Sequence, residues 1–279
     1  MKIHAALRRT LKLTPILMAA IPASVPAQSV TLSQEVDANT FVSSGAPAMN
    51  FNGLGAMEIA APTAAQNRTE ETLLGFNTSA IESGFDADFG PGNWAVSSVT
   101  LTLLSNVTTA GQHPGNSSFN TIAAGGIELD WLSDNNWNPA QITYNNISGL
   151  LPGMGGNTLD SLGDFNYLAN GASPVTWTLG LDPNLVNDIS GGGTVTIFGQ
   201  PTAGSTVGYL FNTLFMGGNG AVLNVTATVV PEPSTMAMMA SGLAGLAAWR
   251  RFRNQKLFSR QVRASAPCRS GLRWWRADR

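Results

Sequence analysis

The chain has 279 residues, 43% of them hydrophobic, with 15 Lys and Arg against 17 Asp and Glu. The near-neutral sum hides an uneven distribution: between Gln28 and Pro233 there are sixteen acids and one base, Arg68. Such a segment cannot neutralise a phosphate backbone, which excludes nucleic acid as a partner, and it contains no cysteine, which excludes a disulfide framework, a thiolate nucleophile and a cysteine metal site.

From the N-terminus, Lys2, Arg8, Arg9 and Lys12 precede an apolar run from Leu13 to Val25, and Val25-Pro26-Ala27 supplies small residues before Gln28. A basic region, a short apolar core and a small-residue site form a secretory signal peptide. The apolar part is shorter than the roughly 20 residues that span a bilayer. Residues 1–27 are therefore expected to direct export through Sec machinery and to be removed by signal peptidase after Ala27.

Residues 28–229 read as one domain dominated by period-two alternation between Gly, Asn and Pro turns. Strands are predicted, in chain order, at Thr40–Ser43, Ala56–Ala60, Thr72–Phe76, Val99–Leu103, Ile127–Trp131, Gln141–Tyr144, Gly163–Leu168, Val175–Leu181, Val195–Ile197, Val207–Phe215 and Leu223–Val229. One short helix is predicted after Asp182: Asp182 caps it, Pro183 fits its first turn, Leu185, Val186 and Ile189 form its apolar stripe, and Gly191-Gly192-Gly193 ends it. This pattern gives an all-β fold, an antiparallel jelly-roll-like β-sandwich with one short helix.

Within that domain the chemistry for catalysis is sparse. His113 sits in a Gln-His-Pro-Gly turn, and neither Gly-x-Ser-x-Gly nor His-Glu-x-x-His occurs, so no residue is assigned as catalytic and no enzyme is expected. The alternative is a polysaccharide-acting enzyme built on a carboxylate pair, whose spacing decides its mechanism. Asp86 and Asp88, in a Gly-rich stretch read as a loop, are the candidate Ca²⁺ ligands; otherwise no cofactor is expected. Trp131 and Trp177 are in phase with Leu129 and Leu179 and belong to the core. Trp137, between Asn136 and Asn138 in a polar loop, is the candidate sugar-stacking residue, with those two amides as hydrogen-bonding neighbours. A surface position implies that Trp137→Ala leaves the melting temperature nearly unchanged.

After the domain comes Val230-Pro231-Glu232-Pro233-Ser234, then an uncharged stretch from Met236 to Trp249, then Arg250, Arg251 and Arg253. An apolar segment with a basic flank reads as a transmembrane helix with its arginines on the cytoplasmic side. The three parts in this order, over residues 230–253, resemble the C-terminal sorting signal of PEP-CTERM proteins. That resemblance implies an exosortase-like membrane enzyme as partner, processing near Pro231, Glu232 and Pro233, and a Gram-negative host that makes exopolysaccharide. A basic tail, 254–279, carries the chain beyond the usual end of such signals.

A second resemblance covers the domain. Asp37-Ala-Asn-Thr-Phe-Val-Ser43, Asn50-Phe-Asn-Gly-Leu-Gly-Ala-Met-Glu58, Thr72-Leu-Leu-Gly-Phe-Asn-Thr78 and the Trp137-to-Asn146 segment are similar to the layout of DNRLRE-type domains, with Glu71-Thr72 where that family has an arginine. This resemblance implies a carbohydrate-binding-type sandwich on a surface protein. The sequence therefore points to an exported envelope or matrix protein, membrane-anchored as a precursor and contacting exopolysaccharide. A purely structural matrix or adhesion role is the remaining alternative.

Overall fold

The computed structural model describes residues 28–63, 67–106, 122–152, 157–171, 173–216, 218–230, 238–251 and 253. The expected signal peptide, His113, Pro231-Glu232-Pro233 and the basic tail lie outside the described residues.

Eleven strands and two short α-helices are the main elements of the described part of the domain, besides 3-10 turns at Ile147–Gly149 and Leu214–Met216. In order they are β1 (Ser29–Glu35), β2 (Ala38–Ser43), β3 (Ala56–Ala60), β4 (Glu70–Asn77), α1 (Ser79–Phe89), β5 (Trp94–Leu104), β6 (Gly125–Leu132), β7 (Leu159–Tyr167), β8 (Pro174–Leu179), α2 (Pro183–Ser190), β9 (Thr194–Pro201), β10 (Gly208–Asn212) and β11 (Val222–Val229). The strands form two antiparallel sheets: four strands in the order β1-β11-β5-β8, and seven in which β10-β3-β4-β9-β6-β7 form the path and β2 also pairs with β4. The main core lies between them, with Val99, Leu101, Leu223 and Val225 of the smaller sheet meeting Phe41, Phe76, Ile127 and Ile197 of the larger. The architecture is the expected antiparallel sandwich.

The two sheets differ on their outer faces. The four-stranded sheet turns a hydroxyl- and amide-bearing face to solvent, where Thr31 bonds Thr226, Ser33 bonds Asn224 and Thr102 bonds Thr176 at 2.7–2.9 Å. One wet face gives the clean alternation of β5 and β11. The seven-stranded sheet is covered on both faces. A second cluster of Val42, Leu73, Leu132 and Phe198 lies on its far side, joined by Ile142 and Ile147. Residues 133–152 form this cap, pinned by Asn50 Nδ2 donating to the carbonyls of Pro139 (2.7 Å) and Ile142 (2.6 Å). This double burial explains the apolar doublets Phe41-Val42, Leu73-Leu74 and Ile197-Phe198, in which one residue faces each core.

The structure departs from the predicted elements most at three places. Gln141–Tyr144 is no strand but part of the cap, and its apolar residues face the second cluster rather than a sheet neighbour. Two strands with a helix between them replace the helix-free stretch from residue 72 to 103, because α1 packs Ile81 and Phe85 into the main core. Gly84 is what lets α1 lie on β1: a Cβ there would come within 2.5 Å of Leu32 Cδ1. β1 is the third, an edge strand in which only Val30 and Leu32 pack against the core. Helix α2 matches the prediction, with the Asp182 carboxylate accepting from the backbone N–H groups of Asn184 and Leu185.

Candidate functional site

The cap brings Trp137 down onto the outer face of the seven-stranded sheet. Gly75 of β4 and Thr196 of β9 are register partners, and the indole lies over that rung. Its Nε1–H donates to Thr196 Oγ1 at 3.0 Å. A Cβ on Gly75 would sit 3.3 Å from both Trp137 Cζ2 and the Ala38 Cβ, so the missing side chain leaves room for the ring. Trp137 is half-buried and packs against the second cluster. The expected exposed position is thereby corrected: the loop is polar in sequence, but its tryptophan closes a small core.

Beside the ring is a cleft of about 260 Å³ lined by Asp37, Ala38, Gly75, Asn77, Asn135, Trp137 and Thr194. Two strand pairings build it: Ala38 faces Gly75, and Asn77 faces Thr194. The Asp37 carboxylate is fixed by the backbone N–H of Asn77 (2.6 Å) and by Gln34 Nε2 (3.1 Å), both donating to Oδ2. Asn135 donates from Nδ2 to Asp188 Oδ2 at 3.4 Å, and its Oδ1 has no hydrogen-bond partner among the described residues.

Asn136 and Asn138 stand next to Trp137 in sequence, but both are exposed and neither lines the cleft. Asn138 Oδ1 accepts from the Ala140 N–H, and the Asn136 N–H donates to Asp134 Oδ1, so both positions shape the loop. No local pattern in the sequence marks Asp37, Asn77, Asn135 and Thr194 as parts of one site.

The Asp86 and Asp88 reading also changes. Both lie on α1 rather than on a loop. Two residues apart on a helix of 3.6 residues per turn, their side chains leave on nearly opposite sides. Asp86 Oδ1 accepts from the Trp94 indole N–H at 2.8 Å, and Asp88 is exposed. The pair does not converge on one ion. Among the described residues no group of three His, Cys, Asp or Glu side chains is placed to hold a metal.

One carboxylate group is unusual. Glu128 and Asp130 of β6 share the outer face of the larger sheet, Asp164 of β7 faces Glu128 in register, and Gln200 Nε2 donates to Glu128 Oε2 (3.3 Å) and Asp130 Oδ2 (3.4 Å). Burial first, then the charge of Glu128 and that of Asp164, push the Asp130 carboxyl up from 3.8 to about 6, against the opposing Gln200 bond. Between these values the folded chain holds a proton that the unfolded chain has released. Stability therefore falls as pH rises from about 4 to about 6, and the penalty is complete above that window. Asp130→Asn is expected to be more stable than the parent at pH 8 by about 1–2 kcal/mol, less than the full equivalent of the shift because solvent and Gln200 screen the charge. Thermal melts at pH 8 and pH 4 check this: the gap closes at pH 4, and an equal gap at both values rules out the titration.

At the other end of the chain, residues 238–251 are helical, and Met238, Leu243, Leu246 and Trp249 are exposed. Arg250, Arg251 and Arg253 end it, and the Arg253 guanidinium lies 5.4 Å from the centre of the Trp249 ring. No helix among the described residues is long and apolar enough to cross a membrane. A protein-family model described as the PEP-CTERM protein-sorting motif matches residues 229–251. The chain carries a PEP-CTERM sorting motif. That motif implies an exported precursor, processed at the membrane by an exosortase-like enzyme.

No curated protein matches the sequence significantly. Among solved structures, a chain of Desmodium yellow mottle tymovirus is similar over 83% of this chain and 96% of its own, at 10% identity and a TM-score of 0.24. At that TM-score the likeness bears on neither fold nor function. The PEP-CTERM motif begins where β11 ends, at Val229, so the signal follows the sandwich without an intervening domain.

Proposed function

We propose that the protein is a non-enzymatic component of a Gram-negative cell envelope or extracellular matrix, held briefly in the inner membrane and contacting neutral exopolysaccharide through its sandwich. The observation that carries this reading is the PEP-CTERM motif placed directly after a folded domain. Signal peptidase acts first, after Ala27, and the exosortase-like enzyme acts later, near Pro231-Glu232-Pro233.

The C-terminal helix serves as the transient anchor. Residues 238–251 extend about 21 Å at 1.5 Å per residue, short of the roughly 30 Å of hydrocarbon. Flanking apolar residues upstream and snorkelling Arg250, Arg251 and Arg253 make up the difference. Exposure of Met238, Leu243, Leu246 and Trp249 supports this role, since a large apolar surface left bare needs a lipid or protein neighbour. Two prolines around Glu232 favour an extended segment that a membrane enzyme can grip without unfolding the sandwich.

The test is replacement of Pro231, Glu232 and Pro233 by alanine in the native host. Full-length protein is expected to accumulate in the inner membrane, with processed protein lost from the envelope and medium, as read by fractionation and mass spectrometry. Unchanged processing would reject the exosortase assignment. Release of sugar products from host polysaccharide by the purified protein would replace the non-enzymatic reading with the carboxylate-pair enzyme. Absence of any polysaccharide binding would leave a structural or adhesion role.

A further inference from the structure

We infer that the cleft beside Trp137 is a one-ring sugar site, which takes a single neutral hexose at a chain end or side branch and uses Asp37 as its principal acceptor. This rests on the polysaccharide reading above and gives it a location and a selectivity.

Size sets the first limit. About 260 Å³ lies just below the ~300 Å³ where pockets for drug-sized ligands begin, so the cleft has room for one ring and not a run of several. The lining sets the second. Trp137, Ala38 and Gly75 give an apolar surface, and Asp37, Asn77, Asn135 and Thr194 surround it with polar groups. A pyranose has this amphipathic form, with C–H groups on its faces and hydroxyls around its rim. The Trp137 N–H is already committed to Thr196, so the indole offers its ring surface alone.

The acceptors are set in advance. Asp37 Oδ2 is held by two donors, which fixes the carboxylate before a ligand arrives. Hydrogen bonds from hydroxyls to an ionised carboxylate are about twice as strong as neutral ones. Asn77 and Thr194 supply further polar groups at the rim. Charge sets the selectivity. No base lines the cleft, and Arg68, the sole base of residues 28–233, is tied to a buried glutamate. Uronate, phosphate and sulfate groups thus find only a like charge there.

The experiment uses the exported, processed protein recovered from cells. Methyl glycosides of glucose, galactose and mannose, with methyl glucuronide as the anionic control, are screened by saturation-transfer NMR. Retention on neutral polysaccharide gels is measured alongside. At least one neutral glycoside is expected to receive saturation, and the glucuronide none. Thr194→Tyr, which fills the cleft while keeping a good strand residue, is expected to abolish the signal. Asp37→Asn keeps an oxygen for the Asn77 N–H and is expected to weaken binding about tenfold. Melting curves establish that both variants fold, and Asp37→Asn alone decides the matter if Thr194→Tyr does not. Glycoside binding or gel retention that survives in both variants overturns the cleft assignment and leaves polysaccharide binding standing. A wild-type protein that binds neither glycoside nor gel removes both.

Discussion

Arg68→Ala is expected to lower the stability of the domain by about 3–5 kcal/mol, the range for breaking one partner out of a buried ion pair. Arg68 Nε donates to Glu70 Oε1 at 2.8 Å; the Glu70 side chain is 0% exposed and that of Arg68 only 13%. Glu70 opens β4, and its register partners are Ser43 of β2 and Ala60 of β3, so its carboxylate sits where three strands of the larger sheet meet. The guanidinium stem also packs under the turn after β2, with a Cβ on Gly45 coming within 3.0 Å of Arg68 Cδ. Without the arginine, Glu70 is left in a dry site without its ion-pair partner, a costly loss against a total stability of about 5–15 kcal/mol. Urea unfolding of the single variant, of Glu70→Gln and of the double variant separates charge from packing. The double variant is expected to recover much of the loss, because its amide is neutral. A single variant within about 1 kcal/mol of wild type, as for an ordinary surface pair, would show that the ion pair is dispensable.

That arginine also shows what the sequence displays and what it conceals. One base among sixteen acids is visible at once, yet nothing local says that the base is buried. The elements that were legible share a local cause. Ala56–Ala60 follows a glycine-containing turn and is stopped by Pro62, α2 has a capping aspartate and a proline in its first turn, and the sorting motif is a linear signal. The elements that were not legible depend on distant partners. Ile81, Phe85 and Phe89 recur at every fourth residue, but Gly84 and the acids around it disguise the helix, and the reason for Gly84 is Leu32, far away in sequence. The cap segment alternates like a strand at Gln141–Tyr144, yet its apolar residues answer to Val42, Leu73 and Phe198. The cleft is the extreme case. Its residues come from positions 37, 77, 135 and 194 and meet only because β2 pairs with β4 and β4 with β9 in one register. A slip of one residue would turn every one of those strand side chains to the opposite face.

Trp137→Ala is expected to destabilise the domain by about 2–3 kcal/mol, well beyond the half kilocalorie of an ordinary surface change. Two losses combine. The indole covers part of the second cluster, where Ile142, Ile147, Leu132 and Phe198 are buried with it, and a methyl group leaves a void that a cap pinned by Asn50 cannot readily close. Thr196, 0% exposed, also loses its partner, since its hydroxyl accepts the indole N–H, and a buried polar group left unpaired costs about 1–3 kcal/mol unless water reaches it. For a domain of this size the melting temperature is expected to fall by about 5–10 °C. Trp137→Phe separates the two losses: it keeps most of the ring area, removes only the donor and should cost about 1 kcal/mol. Circular-dichroism melts of the three proteins check the order. If the alanine variant melts with wild type, the indole is not closing the cap. If the phenylalanine variant loses as much as alanine, the hydrogen bond to Thr196, rather than packing, holds the cap to the sheet. Because Trp137 serves the fold and the cleft together, loss of sugar binding in Trp137→Ala cannot by itself locate a site, whereas Thr194 and Asp37 lie on the cleft side of the sheet and leave the cap's apolar contacts in place.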